Sequence, residues 1–161
     1  MDGLVKKIED PKSLLKEKAL LVENTCVSLI LRKATRAVTR RFDEILAPSG
    51  LRSTQTAILL EVMIYGPIKL TDLATRLVTD KSTMSRNIRP LEDLGYIKKK
   101  IVKGRRKHIF ITEKGEKILA EVFPLWHNAQ NEVLNSIKSE KWKDLAGILC
   151  EISKYSETRD Y

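Results

Sequence analysis

The chain has 161 residues, of which 42% are hydrophobic, 32% charged and only 6% aromatic, and its formal net charge is +9. That length supports a single domain with one substantial core and needs no metal or small partner to fold, while a Leu/Ala/Lys/Glu-rich balance points to helices rather than a β-sandwich. The charge makes a polyanion, either nucleic acid or an acidic membrane surface, the leading class of partner; Cys26 and Cys150 lie far apart with no Cys or His at ligand spacing, which argues against a disulfide framework and against zinc.

At the N-terminus, MDGLVKKIEDPKS lacks the apolar run of a signal peptide, and no segment approaches the ~20 apolar residues of a membrane span, so a cytoplasmic protein with no membrane association is expected. Asp10-Pro11 can cap and start a helix. The stripe Cys26, Ile30, Ala34, Ala37, Val38, Phe42, Ile45 then recurs at three- and four-residue steps up to Pro48 and Gly50. Thr25 can cap a second piece, which leaves open whether this stretch is one helix or two. Ser53 precedes TAILLEVMIYG, a buried helix closed by Gly66-Pro67.

Two short helices follow. Thr71 is placed to cap DLATRL, and Asp80 or Ser82 to cap the next. Residues 96–102 and 107–112 are rich in β-branched and aromatic side chains around Gly104, which reads as a hairpin. Thr112 can cap EKGEKILAEVF, and Leu119, Val122, Trp126, Ala129, Val133 and Ile137, then Leu145, Ile148 and Ile152, describe one or two further amphipathic helices.

Helix, turn, helix, basic hairpin is the order of a winged helix-turn-helix, and the charge lies where that order needs it. Eleven bases against four acids place +7 of the net charge in residues 80–114. In the first short helix Ala74 permits close helix crossing while Leu73 and Leu77 face the core. The second carries Lys81, Ser82, Thr83, Ser85, Arg86 and Asn87 at or near its N-terminal half, where a recognition helix meets base edges and phosphates. Met84, Ile88 and Leu91 keep its other face packed, and Pro90 predicts a bend without ending the helix. Lys99, Lys100, Lys103, Arg105, Arg106 and Lys107 make a basic wing able to follow phosphates and enter a minor groove.

At these residues the chain resembles the MarR (multiple-antibiotic-resistance regulator) family over most of its length. CVSLILRKATRAVTRRFDEILAPSGLRSTQTAILL is similar to the family's first helix and its entry to the second, DKSTMSRNIRPLEDLGYI to its recognition helix, and ITEKG to the segment after the wing. The resemblance implies a mainly α fold with a small β-wing, in which a winged helix-turn-helix head over about residues 51–112 is flanked by dimerisation helices over about 12–48 and 113–157. It further implies a homodimer meeting a pseudo-palindromic operator in double-stranded DNA, without cofactor, most simply a repressor released by a small-molecule effector or by oxidation. Two positions depart from the family. Lys103-Gly104-Arg105 lacks the acid that usually orients the wing arginine, and Val78 stands where glycine is common, which predicts ordinary backbone angles in that turn.

For an effector, the apolar seam between the long first helix and the helix after Ser53 suggests Cys26, Ile30, Met63 and Trp126 as lining residues. Cys26 on its apolar stripe reads as a buried structural thiol, and Cys150 as core or interface. His108 reads as a strand-surface residue and His127 as an ordinary interface residue. Nothing resembles a nucleophile-base-orienter set or a phosphate-cradling loop, so no enzymatic activity is expected. A winged-helix adaptor used for protein contacts is the alternative; neutral or acidic recognition positions would favour it, and this chain has basic ones.

Overall fold

The structure is a computed structural model that describes residues 10–103, 106–137 and 141–154, the side chains of Lys103 and Arg106 excepted. In chain order the elements are α1 (Pro11–Thr25), α2 (Val27–Leu46), a 3-10 turn (Ala47–Ser49), α3 (Ser53–Tyr65), β1 (Ile68–Lys69), α4 (Leu70–Arg76), α5 (Lys81–Asp93), β2 (Ile97–Lys103), β3 (Arg106–Ile111), α6 (Glu113–Ser136) and α7 (Trp142–Lys154). The fold is mainly α with one small antiparallel sheet, as the sequence predicts. Two compact units divide within α2, one comprising residues 1–39 and the other residues 40–161.

In the first unit the Asp10 side chain accepts from the Lys12 amide at 3.2 Å and Pro11 opens α1, where its missing N–H costs nothing. The helix is split, as the sequence left open: Cys26 turns to ψ 110 between α1 and α2. Thr25 does not cap the second piece, because its hydroxyl donates back to the Leu21 carbonyl at 2.7 Å. Cys26 is half-buried rather than buried. No residue of α1 is buried, and Leu15 and Leu21 are 68% and 63% exposed.

The second unit holds the hydrophobic core. Leu46, Leu51, Ile58, Leu59, Val62, Leu73, Met84, Ile88, Leu91, Ile97, Ile109, Leu119 and Val122 form one cluster joining α3, α4, α5, the sheet and the start of α6. Each fully buried aliphatic side chain there stabilises the fold by about 1.5–3 kcal/mol. The Ser53 amide at the start of α3 donates to the Asp43 carboxylate at 2.7 Å, so an acid on α2 adds to the local cap in which the Gln55 side chain accepts from the Arg52 amide at 2.9 Å. Further along, Arg41 makes a two-pronged ion pair with Glu132 that ties the end of α2 to α6 and holds the Glu132 carboxyl below its ordinary range, and a second pair with Glu44 within α2. Cys150, on α7, is exposed, so in the single chain it is not a core residue.

Sheet order is β1-β3-β2. Ile68 pairs with Ile109, and Ile109 with Lys99, so one face carries Ile68, Ile97 and Ile109 into the core while Lys98 and Lys100 point away from it. Because β1 runs straight into α4, Lys69 is still extended when the helix begins at Leu70. Thr71 therefore lies inside the first turn and is not the cap; its hydroxyl donates to Asp72 instead, at 3.0 Å. Thr112 does cap α6 as expected, accepting from the Gly115 amide at 3.1 Å, and its hydroxyl also reaches the Gly95 carbonyl at 2.6 Å. Gly115 is required at this join: a Cβ there would collide with the Tyr96 carbonyl oxygen.

Candidate nucleic-acid interface

The brace α4 is fixed on α3 from both sides. Leu73 and Ala74 are buried against the core, and on the outer side Arg76 stacks over the Tyr65 ring, 3.3 Å from its centroid, while bonding to Glu61. The turn after α4 departs from expectation. Val78 has φ 48, the left-handed region that a β-branched residue strongly disfavours. Its cause is the closure of the helix: the Val78 amide donates to Thr75 and the Thr79 amide to Ala74, both at 3.0 Å, a Schellman pair that forces the intervening residue left-handed. The same closure ends α5, where Gly95 at φ 74 occupies the equivalent place without strain.

Asp80 begins the recognition helix. Its carboxylate accepts from the Thr83 amide at 2.7 Å, and hydrogen bonds from the Thr83 side chain and amide, then from Ser82, hold its pKa down to about 2. The cap is a full negative charge facing the positive helix end. From there α5 runs unbroken through Pro90 to Asp93; Pro124 is accommodated within α6 in the same way. Met84, Ile88 and Leu91 are buried, which turns the opposite side outward: Lys81, Ser82, Ser85, Arg86 and Arg89 are exposed, with Thr83 and Asn87 half-buried beside them. Of the acids on this helix, Glu92 is occupied by Lys99 at 2.6 Å. The result is a basic, hydroxyl-rich strip suited to phosphates and base edges.

That ion pair separates two wing residues that look equivalent in sequence. Lys99 is half-buried on the side of the strand that meets α5, whereas Lys100 is exposed on the opposite side, as is Lys98. Lys107 is exposed on β3. Lys103 and Arg106 are paired across the two strands at the hairpin end, but their side chains, and Arg105 altogether, lie outside the described residues. His108 is half-buried between Lys69 and Lys100 in adjacent strands, and its Nδ1 is buried with no hydrogen-bond partner among the described residues; it is more enclosed than a plain strand-surface residue.

Of the effector candidates, Cys26 and Ile30 belong to the first unit and Met63 and Trp126 to the second. An apolar cavity of about 240 Å³ between α3 and α6 is lined by Thr56, Leu60, Leu119, Val122, Phe123 and Trp126. Trp126 is thus a lining residue, whereas Met63 does not line the cavity and is 52% exposed. Leu60 and Phe123 were missed; the spacing of Leu119, Val122, Phe123 and Trp126 along one side of α6 was the available signal. His127 is exposed and its ring Nδ1 meets the Asn131 amide at 3.0 Å. Among the described residues no helix is long and apolar enough to cross a membrane.

Known proteins share this geometry. Residues 51–108, which contain the brace, the recognition helix and most of the wing, match the MarR family model. An uncharacterized HTH-type transcriptional regulator of Bacillus subtilis, YwaE, is 25% identical over 153 residues, covering 90% of each chain. The structure of the Mycobacterium tuberculosis transcriptional regulator MosR in complex with DNA is 27% identical with a TM-score of 0.74, over 82% of this chain and 96% of that one. CouR from Rhodococcus jostii RHA1, bound to p-coumaroyl-CoA, shares the fold at 18% identity and a TM-score of 0.73, over 86% and 97% of the two chains. With the brace, the capped recognition helix and most of the antiparallel wing in the matched segment, residues 51–108 carry a MarR-family winged helix-turn-helix, and the chain as a whole is similar to HTH-type transcriptional regulators.

Proposed function

We propose that the protein is a homodimeric repressor that binds a pseudo-palindromic operator in double-stranded DNA in the cytoplasm and is released by a small-molecule effector. The observation that carries the DNA reading is the exposed strip of α5, where Lys81, Ser82, Ser85, Arg86 and Arg89 stand outward while Met84, Ile88 and Leu91 are buried. Lys98, Lys100 and Lys107 extend the basic surface along the wing, and Lys103, Arg105 and Arg106 continue it in sequence to the tip. MosR in complex with DNA supports this assignment by likeness. Dimerisation accounts for the apolar side chains of α1 and α7 that the single chain leaves exposed.

The effector is a compact apolar or aromatic compound, for which the cavity beside Trp126 is a better candidate than a seam along α2. CouR, of the same fold, binds p-coumaroyl-CoA. Release by oxidation has less support, because neither Cys26 nor Cys150 has a thiol partner beside it.

Selection of bound sequences from a random duplex pool tests the reading. A two-fold-related site with half-sites about one helical turn, ~10 bp, apart is expected. A pool that emerges without any enriched sequence would refute sequence-specific binding.

A further inference from the structure

Thr83 and Arg86 stand one turn apart on α5, and the Arg86 guanidinium donates from Nη2 to the Thr83 hydroxyl at 3.1 Å. Thr83 is itself fixed, because its amide donates to the Asp80 carboxylate at 2.7 Å. The three residues form one connected line from the helix cap through a hydroxyl to a guanidinium. We propose that Thr83 is a positioning residue for Arg86, aiming its guanidinium at a base edge rather than touching DNA itself. This rests on the DNA-reading function of α5 argued above.

Chemistry supports the division of labour. A guanidinium has five N–H donors, so one spent on Thr83 leaves four, enough for a bidentate contact with O6 and N7 of a guanine. A long side chain loses rotamer freedom when it docks, and a hydrogen bond made before encounter removes part of that loss while limiting the directions the fork can take. The hydroxyl can serve both neighbours at once, since it has two acceptor lone pairs and one proton. Threonine suits this better than serine in one respect, because β-branching restricts χ1 and keeps the hydroxyl in place.

The test uses the full chain, the selected operator and its single-base variants, with wild type, Arg86→Ala, Thr83→Val, Thr83→Ser and the Thr83→Val/Arg86→Ala double variant. Thr83→Val, equal in shape but without the hydroxyl, is expected to lower the preference for the selected base at the position read by Arg86 by about tenfold, within the range of one bidentate contact. Thr83→Ser is expected to keep most of that preference, and the salt dependence of Thr83→Val to match wild type because every phosphate interaction is retained. The double variant should be no less selective than Arg86→Ala alone, as for two residues acting through one guanidinium. Should valine impair folding, Thr83→Ala, a better helix former, gives the same comparison. If Thr83→Val reads sequences as wild type does while Arg86→Ala loses the preference, the positioning role is overturned and the DNA reading stands. A double variant clearly weaker than Arg86→Ala would mean that Thr83 touches DNA independently and would also overturn it. If Arg86→Ala leaves the ranking of sequences untouched, the base-reading assignment of Arg86 fails and the positioning role fails with it.

Discussion

The winged head and the terminal helices solve the burial of apolar residues in opposite ways. In the head, Leu73, Ile88 and Leu91 are fully enclosed by their own chain, and both ends of the recognition helix are closed by specific hydrogen bonds. In α1 and α7 no residue is buried, although α1 carries Leu14, Leu15, Leu20 and Leu21 and α7 carries Leu145, Ile148 and Ile152. The head is therefore specified from within, whereas the terminal helices carry a surface whose burial must come from elsewhere, which is the physical content of the proposed dimer. The same change runs along α2: Leu46 near its end is buried while Ile30 is 47% exposed.

Paired substitutions would break this contrast most sharply. Leu91→Ala removes a fully buried side chain from the head and is expected to cost about 2–5 kcal/mol in chemical denaturation. Leu21→Asp, on the exposed side of α1, is expected to leave the melting of the head unchanged at high dilution but to shift sedimentation toward the monomer. If Leu21→Asp had no effect on assembly, α1 would not belong to the interface.

The second test is of the join between the wing and α6. Gly115→Ala places a Cβ against the Tyr96 carbonyl, backbone that cannot swing aside, and should cost about 1–3 kcal/mol through overpacking. Because α6 leads from the head to α7, this variant should also weaken DNA binding more than its reduced stability explains; equal effects on both would mean the join is only structural.

A smaller effect of opposite sign is expected at Val78. Its side chain is 55% exposed, so Val78→Gly gives up little burial while removing the left-handed strain. Relief of about 1–2 kcal/mol is partly offset by the greater freedom of glycine in the unfolded chain, about 0.5–1 kcal/mol, which leaves a net gain of roughly 1 kcal/mol. A thermal melt that fell instead would show that Val78 makes an interaction outweighing its backbone cost.

These cases also show what the sequence made legible. The outward strip of α5 and the caps Asp80 and Thr112 were readable because each depends on residues within a turn of one another. Thr71 misled because the start of α4 is set by pairing of Ile68 and Lys69 with Ile109 and His108, far along the chain. Val78 misled because two backbone hydrogen bonds, not the side chain, dictate its angles. The cavity needed Thr56 and Leu60 to meet Phe123 across two helices, a tertiary fact that periodicity along either helix only suggests.

The smallest expected effect separates Lys100 from Lys99, neighbours that the sequence treats alike. Register puts Lys100 on the open side of β2 and Lys99 on the side of Glu92, to which it is bonded at 2.6 Å. A lysine already paired with a carboxylate neutralises little phosphate charge. Lys100→Ala should therefore reduce the slope of log affinity against log salt by about 0.9, the value for a single phosphate no longer neutralised, and do so uniformly across sequences, while Lys99→Ala should change it much less. Lys99→Ala instead frees Glu92 to repel the backbone of the duplex, so a modest loss of affinity at constant slope is expected for that variant. Equal slope changes for the two would mean that DNA draws Lys99 away from Glu92, and that the ion pair belongs only to the free protein.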